Sequence, residues 1–248
     1  MRELLAEFLG TAILLLMGNG VVANVLLPRT KGNGSGWHVI AAGWGMAVFT
    51  AVWCGEALGS SHLNPAVTVG LAIASEIAWT RVPGFMLAQF LGAAAGGLAA
   101  YLFYKPHYDV CDDPDAILAT FCTAPNIRNP ASNIGSEVVA TFILVFAVLI
   151  FARPALDPNG GTQLGLGSLG ALPVGMIVYA IGLSLGGTTG HSLNPARDLA
   201  PRIVHFLLPI SGKRDSDWGY AAIPVLGPLL GGALAGILAR ILAPSLVP

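Results

Sequence analysis

His62-Leu63-Asn64-Pro65-Ala66-Val67-Thr68 and Leu193-Asn194-Pro195-Ala196-Arg197-Asp198 decide how this chain is read. The two Asn-Pro-Ala copies lie 130 residues apart, each at a polar break among long apolar segments. A second pair shares that offset: Ala6-Glu7-Phe8-Leu9-Gly10-Thr11 and Ser136-Glu137-Val138-Val139-Ala140-Thr141, with glutamate and threonine in register. Two unrelated landmarks with one offset mark an internal duplication. Repeat one covers approximately 1–104 and repeat two approximately 134–242, within a single domain spanning 1–248.

Composition places the duplication in a membrane. Of 248 residues, 54% are hydrophobic and only 10% charged, against roughly 25% charged in soluble domains. Mean hydropathy is +0.72. The charges sit in short clusters between apolar stretches, as they must if they avoid hydrocarbon. A net charge of −1 and the lack of a basic stripe argue against nucleic-acid binding. The first apolar run, Leu4 to Leu27, is too long for a signal h-region and has no Ala-x-Ala site, so it reads as a retained helix. Cys54, Cys111 and Cys122 form no metal-ligand cluster, and no metal or cofactor is expected. Cys111 and Cys122 share one loop and could be bridged, with free thiols as the other reading.

A helix needs about 20 apolar residues to cross about 30 Å of hydrocarbon. Six segments qualify, at 4–27, 38–58, 83–104, 134–153, 169–187 and 219–242. In the 105–133 connection, Pro106, Pro114, Pro125 and Pro130 argue against a continuous helix. Two shorter stretches, 64–77 and 194–205, begin at the Asn-Pro-Ala copies and are about half a span long. Asn is a preferred N-cap and Pro suits the first helical position, so each copy reads as the start of a re-entrant helix. Before each lies a small polar run, Gly59-Ser60-Ser61-His62 and Gly187-Thr188-Thr189-Gly190-His191-Ser192. Non-helical backbone at membrane depth is tolerated only where protein buries it or a watery cavity solvates it. Three full spans and one half-span per repeat force inverted topology, so the two half-helices enter from opposite faces and meet near the midplane. The expected fold is all-α, with six transmembrane helices and two re-entrant half-helices.

With the N-terminus inside, Arg2, Arg81, Arg153 and Arg240 are cytoplasmic, while Arg29, Lys31, Lys105, Arg128, Lys213 and Arg214 fall outside. The positive-inside rule does not favour that orientation. Gly92/Gly96 and Gly227/Gly231, at four-residue spacing, read as close helix-packing points.

The paired motifs resemble the signatures of the aquaporin superfamily (major intrinsic proteins), over nearly the whole chain. Within it, the sequence looks like the glycerol-facilitator, or aquaglyceroporin, branch. The subgroup positions carrying that likeness are Tyr104, Asp198, Arg202, Pro224 and Val225. The resemblance implies a passive channel for glycerol and related small neutral solutes, conducting some water and excluding ions and protons. It implies a multi-pass homotetramer in the plasma membrane with cytoplasmic termini, and no enzymatic step. It places a constriction at Trp44, Gly182, His191 and Arg197. His191 departs from the pattern, because glycerol facilitators commonly carry phenylalanine there.

Residue chemistry fits such a pore. Two helix N-termini at the midplane present positive potential, and the Asn64 and Asn194 amides can donate to a solute oxygen. Carbonyls of Gly59, Ser60, Ser61 and His62, and of Thr189, Gly190 and Ser192, are candidate acceptors along one wall. Arg197 carries five fixed donors and never deprotonates; a structural ion pair is its bland alternative. Glu7 and Glu137 sit in apolar spans, where an ionised carboxylate is costly. They are read as acceptors for re-entrant-loop N–H groups, with a proton relay as the alternative. His191 is read as extending the solute range to dihydroxyacetone or undissociated lactic acid; a histidine merely packed against its neighbours is the other reading. A secondary transporter shares the inverted-repeat plan, but beyond the two glutamates the spans lack acidic coupling sites.

Overall fold

The computed structural model describes residues 1–150 and 167–246. Among these residues it is all-helical, with α1 (Arg2–Leu26), α2 (Trp37–Leu58), α3 (Pro65–Ile73), α4 (Val82–Tyr108), α5 (Pro114–Ala119), α6 (Pro130–Ile150), α7 (Leu172–Ser184), α8 (Pro195–Leu207) and α9 (Ile223–Leu246). Short 3-10 turns at Trp79–Arg81 and Gly167–Ala171 lead into α4 and α7. Helices α1, α2, α4, α6 and α9 are long and apolar enough to cross a membrane. The 13 residues of α7 form a shorter apolar span, and the expected 169–187 segment is trimmed at both ends. The half-helices measure 9 residues in α3 and 13 in α8, about 14 and 20 Å at 1.5 Å per residue.

Differences from the expected boundaries have local causes. Helix α4 runs through Pro106 to Tyr108. Near a helix end the missing N–H costs one ladder bond at most, so proline does not stop the last turn. Pro114 and Pro130 instead begin α5 and α6, the position where a missing N–H is harmless. The 105–133 connection is therefore partly helical. The end of the 134–153 span, with Arg153, and residues 154–166 lie outside the described residues.

Packing has the same plan in both halves. Helix α1 lies along α4 and α6 along α9, while α2 packs on α7 across the centre. Glycines permit the closest approaches. A Cβ on Gly92 or Gly96 would lie 2.3 Å from Phe8 O or 2.2 Å from Ala12 O, and one on Gly231 2.4 Å from Val138 O. Backbones thus touch where side chains would hold them apart.

The outer surface is apolar. Leu87, Leu91, Leu98 and Leu102 of α4 and Leu226, Leu230, Leu234, Ile237 and Ile241 of α9 are exposed at helical spacing, which suits lipid rather than water. Trp79 marks one end of the bundle and Trp37 and Trp218 the other, as expected for aromatic residues at membrane interfaces. Polar groups go inward: Glu7, Gln89, Thr68, Glu137, Asp198, Arg202 and His205 are fully buried.

Candidate functional site: two half-helices and a constriction

Each half-helix starts from its own asparagine. Asn64 Oδ1 accepts from Ala66 N at 2.8 Å, and Asn194 Oδ1 from Ala196 N at 2.9 Å and Arg197 N at 3.2 Å. Pro65 and Pro195 follow at the first helical position. The asparagines also cross over. Asn64 Nδ2 donates to Leu193 O and Asn194 Nδ2 to Leu63 O, both at 2.8 Å. The N-termini of α3 and α8 are thereby tied to each other. Each amide nitrogen carries two N–H groups, so one per asparagine is left after the cross-bond.

Leu63 and Leu193 precede the asparagines in left-handed backbone, with φ of 54° and 58°. Such a conformation costs a non-glycine residue of order 1–3 kcal/mol and persists only where surrounding bonds enforce it. Here they do. Leu63 N donates to Glu7 Oε2 at 2.7 Å and Leu193 N to Glu137 Oε2 at 3.0 Å, while both carbonyls face the opposite asparagine.

The glutamates are the anchors of these loops. Glu7 Oε1 also accepts from Ser60 Oγ at 2.5 Å and His62 N at 2.8 Å, and Gln89 Nε2 donates to Oε2 at 2.8 Å. Glu137 Oε1 accepts from Thr189 Oγ1 at 2.7 Å and Ser192 N at 2.9 Å. Three to four donors per carboxylate offset the desolvation that burial imposes. His62 is braced between Thr68 Oγ1, 3.2 Å from its Nδ1, and the Phe85 ring. No backbone N–H among the described residues takes up the carbonyls of Gly59 to His62 or Thr189 to Ser192. Gly59 (φ 112°) caps α2, and Gly190 (φ 83°) turns the second loop where a side chain would be strained.

The four residues expected at a constriction meet as two pairs. The Arg197 guanidinium lies over the Trp44 ring, 4.1 Å from its centroid, a cation–π geometry favoured for arginine on tryptophan. Arg197 Nη1 and Trp44 Nε1 are buried without hydrogen-bond partners. Across from them, a Cβ on Gly182 would lie 3.2 Å from His191 Nε2, and one on Gly186 3.0 Å from His191 Nδ1. The imidazole thus rests against a glycine-lined stretch at the end of α7. Trp37, which the sequence did not single out, packs edge-on against it with centroids 5.4 Å apart. His191 Nδ1 has no partner.

Beside Arg197, a buried ion pair holds the loops of one end together. Asp198 Oδ1 meets Arg202 at 2.8 Å, and both side chains are fully buried. Asp198 Oδ2 accepts from Thr123 N and Thr123 Oγ1, both at 2.7 Å. Arg202 donates onward to the carbonyls of Ser216, Asp217 and Thr123, at 2.8, 3.1 and 2.9 Å. A buried pair is stable when such extra bonds saturate it. Arg128–Asp217, at 2.6 Å, and Arg214–Asp115 add ion pairs at the rim. Burial opposes ionisation of Asp217, but the hydrogen bond and charge of Arg128, with Arg202 and Arg214, outweigh it and hold its carboxyl below the usual range. Cys122 lies buried beneath this collar, its thiol pushed up first by burial and then by Asp198; such a thiol is unreactive. All three cysteines are unbridged. Of the other subgroup positions, Tyr104 is half-buried on α4 beside Phe103 and His107, and Pro224 and Val225 form the first turn of α9. These three are not part of the Asp198–Arg202 cluster.

Fold and site together define a multi-pass membrane protein whose two re-entrant half-helices meet end to end inside a six-helix bundle. The chain belongs to the major intrinsic protein family, whose model matches residues 1–239. It is 52% identical to the glycerol uptake facilitator protein of Streptococcus pneumoniae (strain R6), over 92% of this chain and 94% of that one. It is 48% identical to the probable glycerol uptake facilitator protein of Thermotoga maritima, with the same coverage. The X-ray structure of the aquaglyceroporin from Plasmodium falciparum superposes with a TM-score of 0.83, at 28% identity, over 99% of this chain and 98% of that chain. This is a channel family, and the chain is not an enzyme.

Proposed function

We propose that the chain is a passive channel for glycerol and related small neutral solutes, conducting some water and excluding ions and protons. The observation that carries this is the crossed pair of asparagines. Each N-terminus of α3 and α8 is capped and tied to the other, and one amide N–H per asparagine is left to donate. A hydroxyl oxygen can accept there. A cation meets two helix N-termini, each equivalent to about half a positive charge, and next the Arg197 guanidinium. Dehydrated cations and hydronium find no compensating acceptor at these points, whereas a polyol exchanges one neutral hydrogen bond for another.

The filter in this reading is Trp44, Gly182, His191 and Arg197. Asn64, Pro65, Ala66, Asn194, Pro195 and Ala196 form the central gate, and the carbonyls of Gly59 to His62 and Thr189, Gly190 and Ser192 form the acceptor rail. Glu7 and Glu137 are structural acids. Four donors hold the Glu7 carboxylate and three hold Glu137, and all come from the loops or a neighbouring side chain, which supports a structural role over a proton relay. The names of the relatives from S. pneumoniae and T. maritima support glycerol as the solute. The functional unit is a homotetramer with one pore per subunit, in the plasma membrane with both termini cytoplasmic.

A wider solute range has its own supporting observation, a polar imidazole ring at His191, packed between Trp37 and the Gly182–Gly186 stretch of the filter. We infer that it admits dihydroxyacetone and undissociated lactic acid, and His191→Phe should narrow the range toward glycerol; an unchanged profile would sink the idea. The main reading is tested in liposomes by light scattering under glycerol, lactic-acid and impermeant-sugar gradients. Fast, non-saturating glycerol entry at unchanged proton permeability is expected. Saturable or proton-coupled flux would make the chain a carrier.

A further inference from the structure

We infer that Trp37 is a fifth residue of the constriction, setting which solutes pass by occupying the Gly182 carbonyl and holding the His191 ring. The inference rests on the channel reading and deepens it. At the end of α7 the helix's own ladder skips one acceptor: Leu185 N and Gly186 N both donate to Ile181 O. Gly182 O is instead taken by Trp37 Nε1, at 2.8 Å from a residue 145 positions away in sequence. The same indole packs edge-on against His191, and its Cζ2 stands 2.7 Å from where a Cβ on Gly186 would be. One side chain thus takes up one lone pair of the filter glycine's carbonyl and wedges the filter histidine against α7.

The chemical consequence is a constriction with more fixed donors than free acceptors beside α7. Arg197 Nη1 and Trp44 Nε1 are unpartnered N–H groups, while Trp37 Nε1 holds one of the two lone pairs of Gly182 O. The loop carbonyls of Thr189 to Ser192 remain as the neighbouring acceptors. A solute must bring acceptor oxygens. Hydroxyl, carbonyl and carboxylic-acid oxygens qualify, whereas urea, with four N–H groups and a single oxygen, finds fewer acceptors for its donors while Trp37 holds Gly182 O.

The competing role is purely structural, with Trp37 capping the orphan carbonyls of α7. A cap affects every solute alike; a specificity residue changes their ratio. The experiment is stopped-flow light scattering of vesicles carrying wild type, Trp37→Phe or Trp37→His, under urea and glycerol gradients. Trp37→Phe keeps a ring against His191 but removes the N–H, so the urea-to-glycerol permeability ratio should rise about three- to tenfold, the scale of one hydrogen bond. Trp37→His, which keeps a ring donor, should stay closer to wild type. Wild type itself should pass urea no faster than glycerol, although urea is smaller. A ratio unchanged in Trp37→Phe, or a uniform fall of both fluxes, would overturn the inference. So would a wild-type channel passing urea severalfold faster than glycerol, even if neither variant folds. Wild-type vesicles passing neither solute above the lipid background would overturn the channel reading itself.

Discussion

Asn64 and Asn194 each cap their own half-helix through Oδ1 and each donate, through Nδ2, to the carbonyl of the leucine preceding the other, at 2.8 Å in both directions. The centre of the molecule is therefore a closed reciprocal unit. Neither half can be altered without freeing a buried group on the other.

Asn194→Ala removes a cap, worth about 0.5–2 kcal/mol, and leaves Leu63 O unpaired, which costs about 1–3 kcal/mol more. Thermal unfolding in detergent should show a loss of about 2–4 kcal/mol. The double variant Asn64→Ala/Asn194→Ala should lose less than the two singles added together, since they share one unit. Strict additivity would mean the two halves are independent.

Glu137→Gln tests the acid's role. A glutamine amide must turn one N–H₂ toward Ser192 N, Leu193 N or Thr189 Oγ1, so at least one bond to the loop is lost. Stability should fall by about 1.5–3 kcal/mol, the scale of a hydrogen bond to a charged group, and all solute fluxes should fall together. Proton flux, followed with an entrapped pH dye, should not change. A selective change in proton flux would point to a relay.

Helix approach predicts a clean contrast among glycines. Gly96→Ala and Gly231→Ala would push a methyl against Ala12 O and Val138 O, respectively, and each should destabilise by about 1–3 kcal/mol. Gly135→Ala, on α6 with nothing within 4 Å of its Cβ position, should be neutral or stabilising by up to about 1 kcal/mol. Equal effects at all three positions would mean that these glycines do not set the helix spacing.

The rim carries a pH dependence of definite sign. Asp217 titrates below its ordinary value of 3.8 when folded, so it contributes stability above that value. The contribution is lost as pH falls through the lower folded value. Arg128 is half exposed, which keeps the effect below about 1 kcal/mol. Hydrogen-exchange protection factors in residues 109–129, taken relative to the intrinsic rate at each pH, should fall below about pH 4 in wild type. Asp217→Asn should show that lowered protection already at neutral pH, and a flat acid response in wild type would refute the assignment.

Much of this was legible from the chain. Cap and proline chemistry located both half-helices at Asn64 and Asn194, and the length of the apolar runs located the spans to within a turn or so. Trp44, Gly182, His191 and Arg197 came from a resemblance, and the structure assembles them as two pairs. Other features left no local signal. Trp37 reaches Gly182 across 145 residues, and Thr123 reaches Asp198 across 75; no periodicity or motif encodes such a pairing. The prolines of the 105–133 connection do keep it from being one continuous helix, but Pro106 itself falls in the last turn of α4.

The reciprocal unit also sets an order of assembly. Synthesis runs from the N-terminus, so Asn64 and Leu63 exist long before their partners, Leu193 and Asn194, which lie 129 and 131 positions further on. Until then Glu7 already holds the loop through Ser60, His62 and Leu63, but Asn64 Nδ2 and Leu63 O have no partner, and hydrocarbon penalises each such orphan group by several kcal/mol. The first half of the nascent chain can therefore shape its loop by itself, and its centre closes only when the second copy arrives.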